Sequence, residues 1–222
     1  MSSTWMAAWC RTKVKPTKKF NVKYTPTGKK ERILLQTIKT DIVLDARGLA
    51  CPMPIVRTKK TMKTLEPGQV VEVQATDKGS TADLRAWANS TGNQYLGTIE
   101  EGDVLRHYVR KSSGDEQEAP AFKSVVTNET VEAVRNNPDT LILDVRETAE
   151  YAFSHIPNAV NIPLGELETR IGELDTSKTI YVVCRTGSRS DLACQQLDAK
   201  GFNVQNVIPG MSDWKYDTNQ TV

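Results

Sequence analysis

A short apolar run bounded by aspartates, 41–45 (Asp-Ile-Val-Leu-Asp), reads as a short strand. The spacing becomes helical over 52–65, where Ile55, Val56, Met62 and Leu65 are expected toward a core and Arg57, Lys59, Lys60 and Lys63 toward solvent. Pro67-Gly68 ends that helix with a turn, and a valine-rich strand is predicted over 70–76. A second helix over 80–90 has Ser80 as its candidate N-cap. Two strands, 94–100 and 104–110, then form a hairpin across Glu101-Gly-Asp103. The order β-α-β-α-β-β predicts a two-layer α/β sandwich, with both helices on one face of four strands. His107 falls on an alternating strand and reads as a surface or edge residue.

The second half alternates helix and strand throughout. Helices are predicted over 129–136, 148–153, 165–173 and 190–200, and strands over 141–144, 159–162, 179–183 and 204–207. This pattern predicts a doubly wound parallel sheet whose functional loops lie at the strand C-termini. Asp144 and Cys184 both fall at such ends and should be neighbours. Residues 112–120 are small and acidic, end in proline, and read as a linker. Residues 1–38 show no period and read as a disordered extension. The compact domains are therefore expected over 39–111 and 121–222. Because the first compact pattern begins near Leu35, a start downstream of Met1 at a non-Met codon is left open.

Composition narrows the function classes. The chain has 222 residues, 38% hydrophobic and 25% charged, an ordinary balance for a globular protein. No apolar run approaches the roughly 20 residues of a membrane span. The stretch 5–10 is too short for a signal-peptide core, so a cytoplasmic protein without membrane partners is expected. Charge is segregated: residues 1–40 carry a net +9, 41–110 balance, and 111–222 carry −7. The basic arm makes nucleic acid a candidate partner. Four cysteines and 2 histidines, with no C-x-x-C pair, point to neither a disulfide framework nor a metal site, and no cofactor is expected. Cys194 reads as a small buried apolar residue.

The chemistry concentrates at two other cysteines. Cys184 follows the strand 179–183 and opens Cys-Arg-Thr-Gly-Ser-Arg-Ser. A strand that stops at a cysteine, turns through glycine and enters a helix directs main-chain N–H groups at the sulfur. Arg185, Thr186, Gly187, Ser188 and Arg189 are the candidate anion-holding residues, with Asp144 and Arg146 beside them. Four residues separate Cys184 from Arg189, one fewer than in the C-x5-R loop of cysteine phosphatases; the tighter ring suits one sulfur atom. Cys51, in Cys-Pro-Met-Pro, is expected at a helix N-cap with Pro52 at N1, where the helix dipole favours its thiolate.

Leu143-Asp-Val-Arg146 with Glu150-Tyr151, Ser154-His-Ile-Pro-Asn-Ala-Val-Asn-Ile-Pro163, the Cys184 loop, and Pro209-Gly-Met-Ser-Asp-Trp214 together resemble the rhodanese family over roughly 120–217. Ser154 and Asn158 stand where that family commonly has glycine. Leu44-Asp-Ala-Arg-Gly-Leu-Ala-Cys-Pro-Met-Pro54 resembles the TusA (SirA-like) sulfur-carrier signature, over 41–111.

The resemblance implies a sulfurtransferase in which Cys184 takes sulfane sulfur as a persulfide, from a small-molecule or protein donor, and passes it to a thiol or protein acceptor. It further implies that Cys51 carries sulfur between proteins, and an exchange between Cys184 and Cys51 is the relay expected from the fusion. Arg189, with Arg185 or Arg146, would attract an anionic donor, and Asp144 would orient an arginine. Two readings stand beside this one: a persulfide-binding sensor or sequestering protein with little turnover, and sulfur delivery to RNA through residues 11–39. His155 reads as part of a structural turn.

Overall fold

The computed structural model describes residues 38–112 and 121–222. The expected basic extension and linker lie outside the described residues, apart from Ile38 and Ser112.

The first domain forms β1 (Ile42–Asp45), α1 (Met53–Met62), β2 (Val70–Ala75), α2 (Ser80–Ser90), β3 (Gln94–Glu101) and β4 (Val104–Arg110). Its sheet has the order β1-β2-β4-β3, with β1 and β2 parallel and the other pairs antiparallel. Odd and even residues of a strand face opposite sides, so this sheet sorts its own side chains. Val71, Val73 and Val109 pack with Met62, Leu65, Leu84 and Ala88 under the two helices. Val70 and Tyr108 point the other way and meet Ala149 and Ala152 of the second domain.

That domain adds β5 (Val125–Val126), α3 (Asn128–Val134), β6 (Thr140–Asp144), α4 (Thr148–Phe153) and β7 (Val160–Asn161), followed by a 3-10 turn (Leu164–Glu166), α5 (Leu167–Arg170) and a second 3-10 turn (Ile171–Glu173). It closes with β8 (Thr179–Val183), α6 (Ser188–Asp198), β9 (Asn203–Val207) and a last 3-10 turn (Gly210–Asp213). All neighbours in the order β5-β9-β8-β6-β7 are parallel. Leu143, Val145, Ile180 and Val182 pack with Cys194 and Leu197 of α6, while Ile142, Val183 and Val207 pack with Val131 of α3. The doubly wound expectation holds.

Several local expectations change. Val56 is 52% exposed, because α1 buries the i, i+4 row Pro54, Thr58, Met62 instead. Gly79, not Ser80, takes the cap position of α2, and the Ser80 hydroxyl donates to the Asp77 carbonyl at 2.5 Å. The continuous helix expected over 165–173 is two 3-10 turns flanking a four-residue α5.

His107 is fully buried, not at the surface: it faces the helix layer, with Nε2 2.9 Å from Ser80 Oγ and Nδ1 2.9 Å from Tyr95 Oη and Thr98 Oγ1. With the Ser80 proton committed to Asp77, Nε2–H donates to Ser80 and Nδ1 accepts. Burial lowers the imidazole pKa to about 4, so the ring is neutral. Alternation gives the parity of a strand residue, not what covers it.

The two domains meet through the second face of the first sheet. A Cβ on Gly97 of β3 would lie 2.4 Å from the Phe153 ring, so glycine is what lets that ring reach the sheet. Phe153 also tilts against Tyr108, with centroids 5.3 Å apart. Lys39 pairs with Glu166 at 2.6 Å, an exposed contact worth little by itself.

Candidate functional site

Cys184 follows the last residue of β8 and is 1% exposed. The register of β6 and β8 sets Asp144 opposite Val183, so the two strand ends expected to be neighbours are neighbours. Gly187, at φ +110°, turns the chain into α6, two residues earlier than the pattern suggested, and its N–H donates to Cys184 Sγ at 3.1 Å. Ser190 Oγ lies 3.3 Å from the same sulfur, 3.0 Å from the Gly187 carbonyl and 2.6 Å from Asn206 Oδ1, so its single proton has three acceptors in reach. The loop is held from outside by Met211 N–H donating to the Cys184 carbonyl and Ser212 N–H donating to the Arg185 carbonyl, at 2.9 and 2.8 Å. Gly210, at φ +73°, allows that approach, since a Cβ there would stand 2.5 Å from the Cys184 oxygen.

The charged residues around the loop are paired with one another. Arg146 donates to both Asp144 oxygens, from Nε at 3.0 Å and from Nη2 at 2.6 Å, and to the Ser154 carbonyl at 2.7 Å. Both partners are buried. Arg189 forms a two-pronged pair with Glu150, at 2.7 and 3.0 Å. Glu150 also accepts the Glu147 N–H at 3.0 Å and lies 3.4 Å from Arg110 Nε of the first domain. Burial alone would raise the Glu150 pKa, but Arg189, then Arg110 and Arg146, outweigh it and hold the carboxyl at about 2. Arg185, Thr186 and Ser188 are partly exposed on the loop.

Glu150, Ser190, Asn206 and Arg110 were not among the residues singled out from sequence. Glu150 was visible only as a motif letter, and nothing local announces a partner 39 residues away.

Cys51 is exposed, and its surroundings overturn two expectations. Pro52 is the N-cap and α1 starts at Met53, so Cys51 precedes the cap and lies outside the helix. The thiol pKa is raised, not lowered, by a hydrogen bond to Asp83, then by desolvation, then by the charges of Asp83 and Asp77. A carboxylate accepting the thiol proton stabilises the neutral form, and a helix end one residue further on does not reverse that. Upstream, Asp45-Ala-Arg47 repeats the device of Asp144-Val-Arg146. In each the arginine main-chain N–H, 3.0 Å from the first carboxylate oxygen, and its guanidinium both clasp the aspartate that ends a strand.

The structure does not bring the two cysteines together. Cys51 belongs to the loop after β1, anchored where Ala46 N–H meets the Gln74 carbonyl and Gly48 N–H meets Thr76 Oγ1. The Cys184 loop faces the opposite end of that sheet, across a cavity lined by Pro67, Gly68 and Arg110 together with Thr186, Ser188 and Arg189. The length of β2 alone, at about 3.3 Å per residue, separates the two ends by roughly 17 Å.

Cys194 is fully buried in the core and burial raises its thiol pKa, in keeping with a packing role. His155 stacks on Tyr151 with centroids 3.8 Å apart and pairs through its backbone with Asn219, as a turn residue does. Among the described residues no helix is long and apolar enough to cross a membrane.

A family model described as "Sulfurtransferase TusA" matches residues 42–111, and one described as "Rhodanese-like domain" matches 127–217. The chain is 51% identical over 179 residues to "Putative sulfur carrier protein YrkF" of Bacillus subtilis (strain 168), covering 80% of this chain and 97% of that protein. It is 47% identical over 72 residues to "Sulfur carrier protein TusA" of Allochromatium vinosum, covering 32% of this chain and 95% of the relative. The crystal structure of a rhodanese-related protein from Thermoplasma volcanium aligns at 29% identity with a TM-score of 0.42, covering 44% of this chain and 98% of that one.

Proposed function

The chain belongs to the sulfur-carrier family in which a TusA domain is joined to a rhodanese-like domain, and on that premise we propose that it works by carrying sulfane sulfur as a persulfide on Cys184. The observation that carries this reading is the buried Cys184 sulfur at the mouth of a helix-starting loop, where it accepts the Gly187 N–H at 3.1 Å and has the Ser190 hydroxyl within reach. Donors fixed before reaction stabilise an anionic sulfur without reorganising.

With thiosulfate as donor, the Cys184 thiolate attacks the outer sulfur. A new S–S bond forms to Cys184, the bond to the sulfite group breaks, and sulfite leaves with its electron pair. An acceptor thiolate then attacks the terminal sulfur, taking it as its own persulfide and returning Cys184 as thiolate. No external oxidant or reductant enters. The main-chain N–H groups of residues 185–189 hold the terminal sulfur anion. Arg189 shapes the loop through Glu150, and the Asp144–Arg146 pair fixes the neighbouring strand end, so these residues act through position.

Cys51 serves as the carrier thiol. Its exposure suits exchange with partner proteins, and its raised pKa makes it a slow nucleophile until a partner displaces Asp83. The placement of the cysteines at opposite ends of one sheet favours exchange between two chains, or after the domains part, over direct relay within the closed arrangement. Mixing sulfur-loaded Cys51→Ser protein with unloaded Cys184→Ser protein, and following both masses, tests the exchange. Sulfur should appear on Cys51 of the second species at a rate rising with concentration. A concentration-independent transfer in wild type, with none between the mixed variants, would contradict it.

A further inference from the structure

The Cys184 sulfur is closed in largely by its own domain. Ser190 and Asn206 pack inside the loop, and the Met211 and Ser212 N–H groups hold its carbonyls from behind. Thr186, Ser188 and Arg189 face outward and line a cavity of about 230 Å3, whose far wall belongs to the carrier domain: the Pro67-Gly68 turn, with Arg110 beside it. That turn is stiffly held. Gly68 N–H donates to the Lys111 carbonyl at 3.0 Å, Lys111 N–H to the Gln69 carbonyl at 2.8 Å, and Lys111 Nζ to the Leu65 carbonyl at 2.5 Å. The wall therefore clears the cysteine loop only when the whole carrier domain moves.

What keeps that domain in place is a narrow seam. Ala149 and Ala152 of α4 pack on Val70 and Tyr108, and Phe153 lies beside them in the space that Gly97 leaves open. Two ion pairs cross between the domains, Arg110 with Glu150 and Lys39 with Glu166. One aromatic ring and two alanines make a contact far smaller than a domain core, of the kind from which domains part.

We propose that the contact of Phe153 with Gly97 determines which acceptors reach Cys184: closed, the seam admits small thiols and bars protein thiols, and parted, it admits both. This rests on the reading of Cys184 as the persulfide-bearing residue. The cavity has the size of a small-molecule site. A cysteine on a folded protein brings its own backbone and neighbours, which do not fit between the loop and the Pro67-Gly68 turn. Cys51 of a second copy is such a thiol. Exchange between chains then scales with the fraction of molecules that are open, and the seam sets that fraction. The chemistry is the same in both states. The acceptor thiolate attacks the terminal sulfur, the S–S bond to Cys184 breaks, and Cys184 leaves as thiolate with the electron pair.

The test uses full chains carrying Cys51→Ser, loaded with sulfur on Cys184, with the seam either intact or opened by Gly97→Leu or by Phe153→Asp. Gly97→Leu drives the ring off the sheet, and Phe153→Asp reaches the same end by setting a charge against Leu96, Ile99 and Tyr108 while Gly97 stays as it is. Each donor is given either 2-mercaptoethanol or a Cys184→Ser chain, whose Cys51 is the protein thiol, and intact mass follows the sulfur. Both opened donors should show a larger radius of gyration and pass sulfur to the protein about tenfold faster, with transfer to 2-mercaptoethanol within about twofold of the closed donor. Because the protein acceptor is the same throughout, the intrinsic reactivity of Cys51 cancels. Protein transfer that is equally fast from closed and opened donors overturns the proposal, as does an opening that speeds the small thiol as much as the protein. A radius of gyration left unchanged in both folded variants also overturns it, since that contact then does not hold the domains together. If no donor passes sulfur even to 2-mercaptoethanol, the underlying reading of Cys184 fails, and the proposal with it.

Discussion

Replacing Glu150 with glutamine keeps the shape of the side chain but removes the charge on which Arg189 and Arg110 converge. Glu150 has no side-chain exposure, and Arg110 and Arg189 are 2% and 14% exposed. Breaking a buried ion pair by removing one partner costs about 3–5 kcal/mol, because the remaining charges stay desolvated. The pH dependence gives a second, independent number. The folded carboxyl titrates at about 2 against an ordinary 4.5. A depressed folded pKa contributes stability that is present above the unfolded value and lost as pH falls toward the folded one. Between pH 6 and pH 3 that loss is about 2 kcal/mol at ~1.4 kcal/mol per unit.

Urea unfolding of wild type and Glu150→Gln across this range isolates the Glu150 contribution, since every other acid titrates in both proteins. The stability difference should be about 3–5 kcal/mol near neutrality and shrink by about 2 kcal/mol at pH 3. A difference of any size that stays constant with pH would refute the assignment of a shared, ionised carboxylate.

Gly210→Ala should destabilise the chain by at least ~2 kcal/mol and slow sulfur loading, since its Cβ would stand 2.5 Å from the Cys184 carbonyl at φ +73°. Gly172→Ala, with nothing within 4 Å of the added atom, is the control and should leave urea unfolding and loading as in wild type. Asp83→Asn removes the acceptor that raises the Cys51 pKa; iodoacetamide alkylation of Cys51 near neutral pH should accelerate, and an unchanged rate would sink the assignment. Ser190→Ala removes a donor 3.3 Å from Cys184 Sγ and should slow loading about tenfold in single-turnover measurements, with Asn206 left as a structural contact.

The secondary structure of both domains was legible because its signals are local. Valine runs, glycine turns and proline stops mark β2, β4, β6 and β8 without reference to partners, and the strand-to-loop step at Cys184 follows directly. What covers each face was not legible. Val70 and Tyr108 alternate like outward residues of a two-layer sandwich, yet they pack on α4 because Gly97 leaves room for Phe153. His107, of the opposite parity, is buried on the other face, where Ser80 of α2 and Tyr95 cover it. At Cys51 the Cys-Pro-Met-Pro spacing suggested a dipole-stabilised thiolate, but the deciding groups, Asp83 and Asp77, approach from α2 and the loop before it. The pairing of Arg189 with Glu150 was not legible either, because that carboxylate belongs to a different helix. Ion pairing across 39 residues leaves no mark on the spacing around either member.

The most direct test treats the full chain with thiosulfate or polysulfide and maps the added sulfur by mass spectrometry on wild type, Cys184→Ser and Cys51→Ser. The account predicts one added sulfur atom on Cys184 in wild type and in Cys51→Ser, lost on reduction, and none at early times in Cys184→Ser. Sulfur arriving first at Cys51, or reaching it equally fast with Cys184 removed, would contradict it.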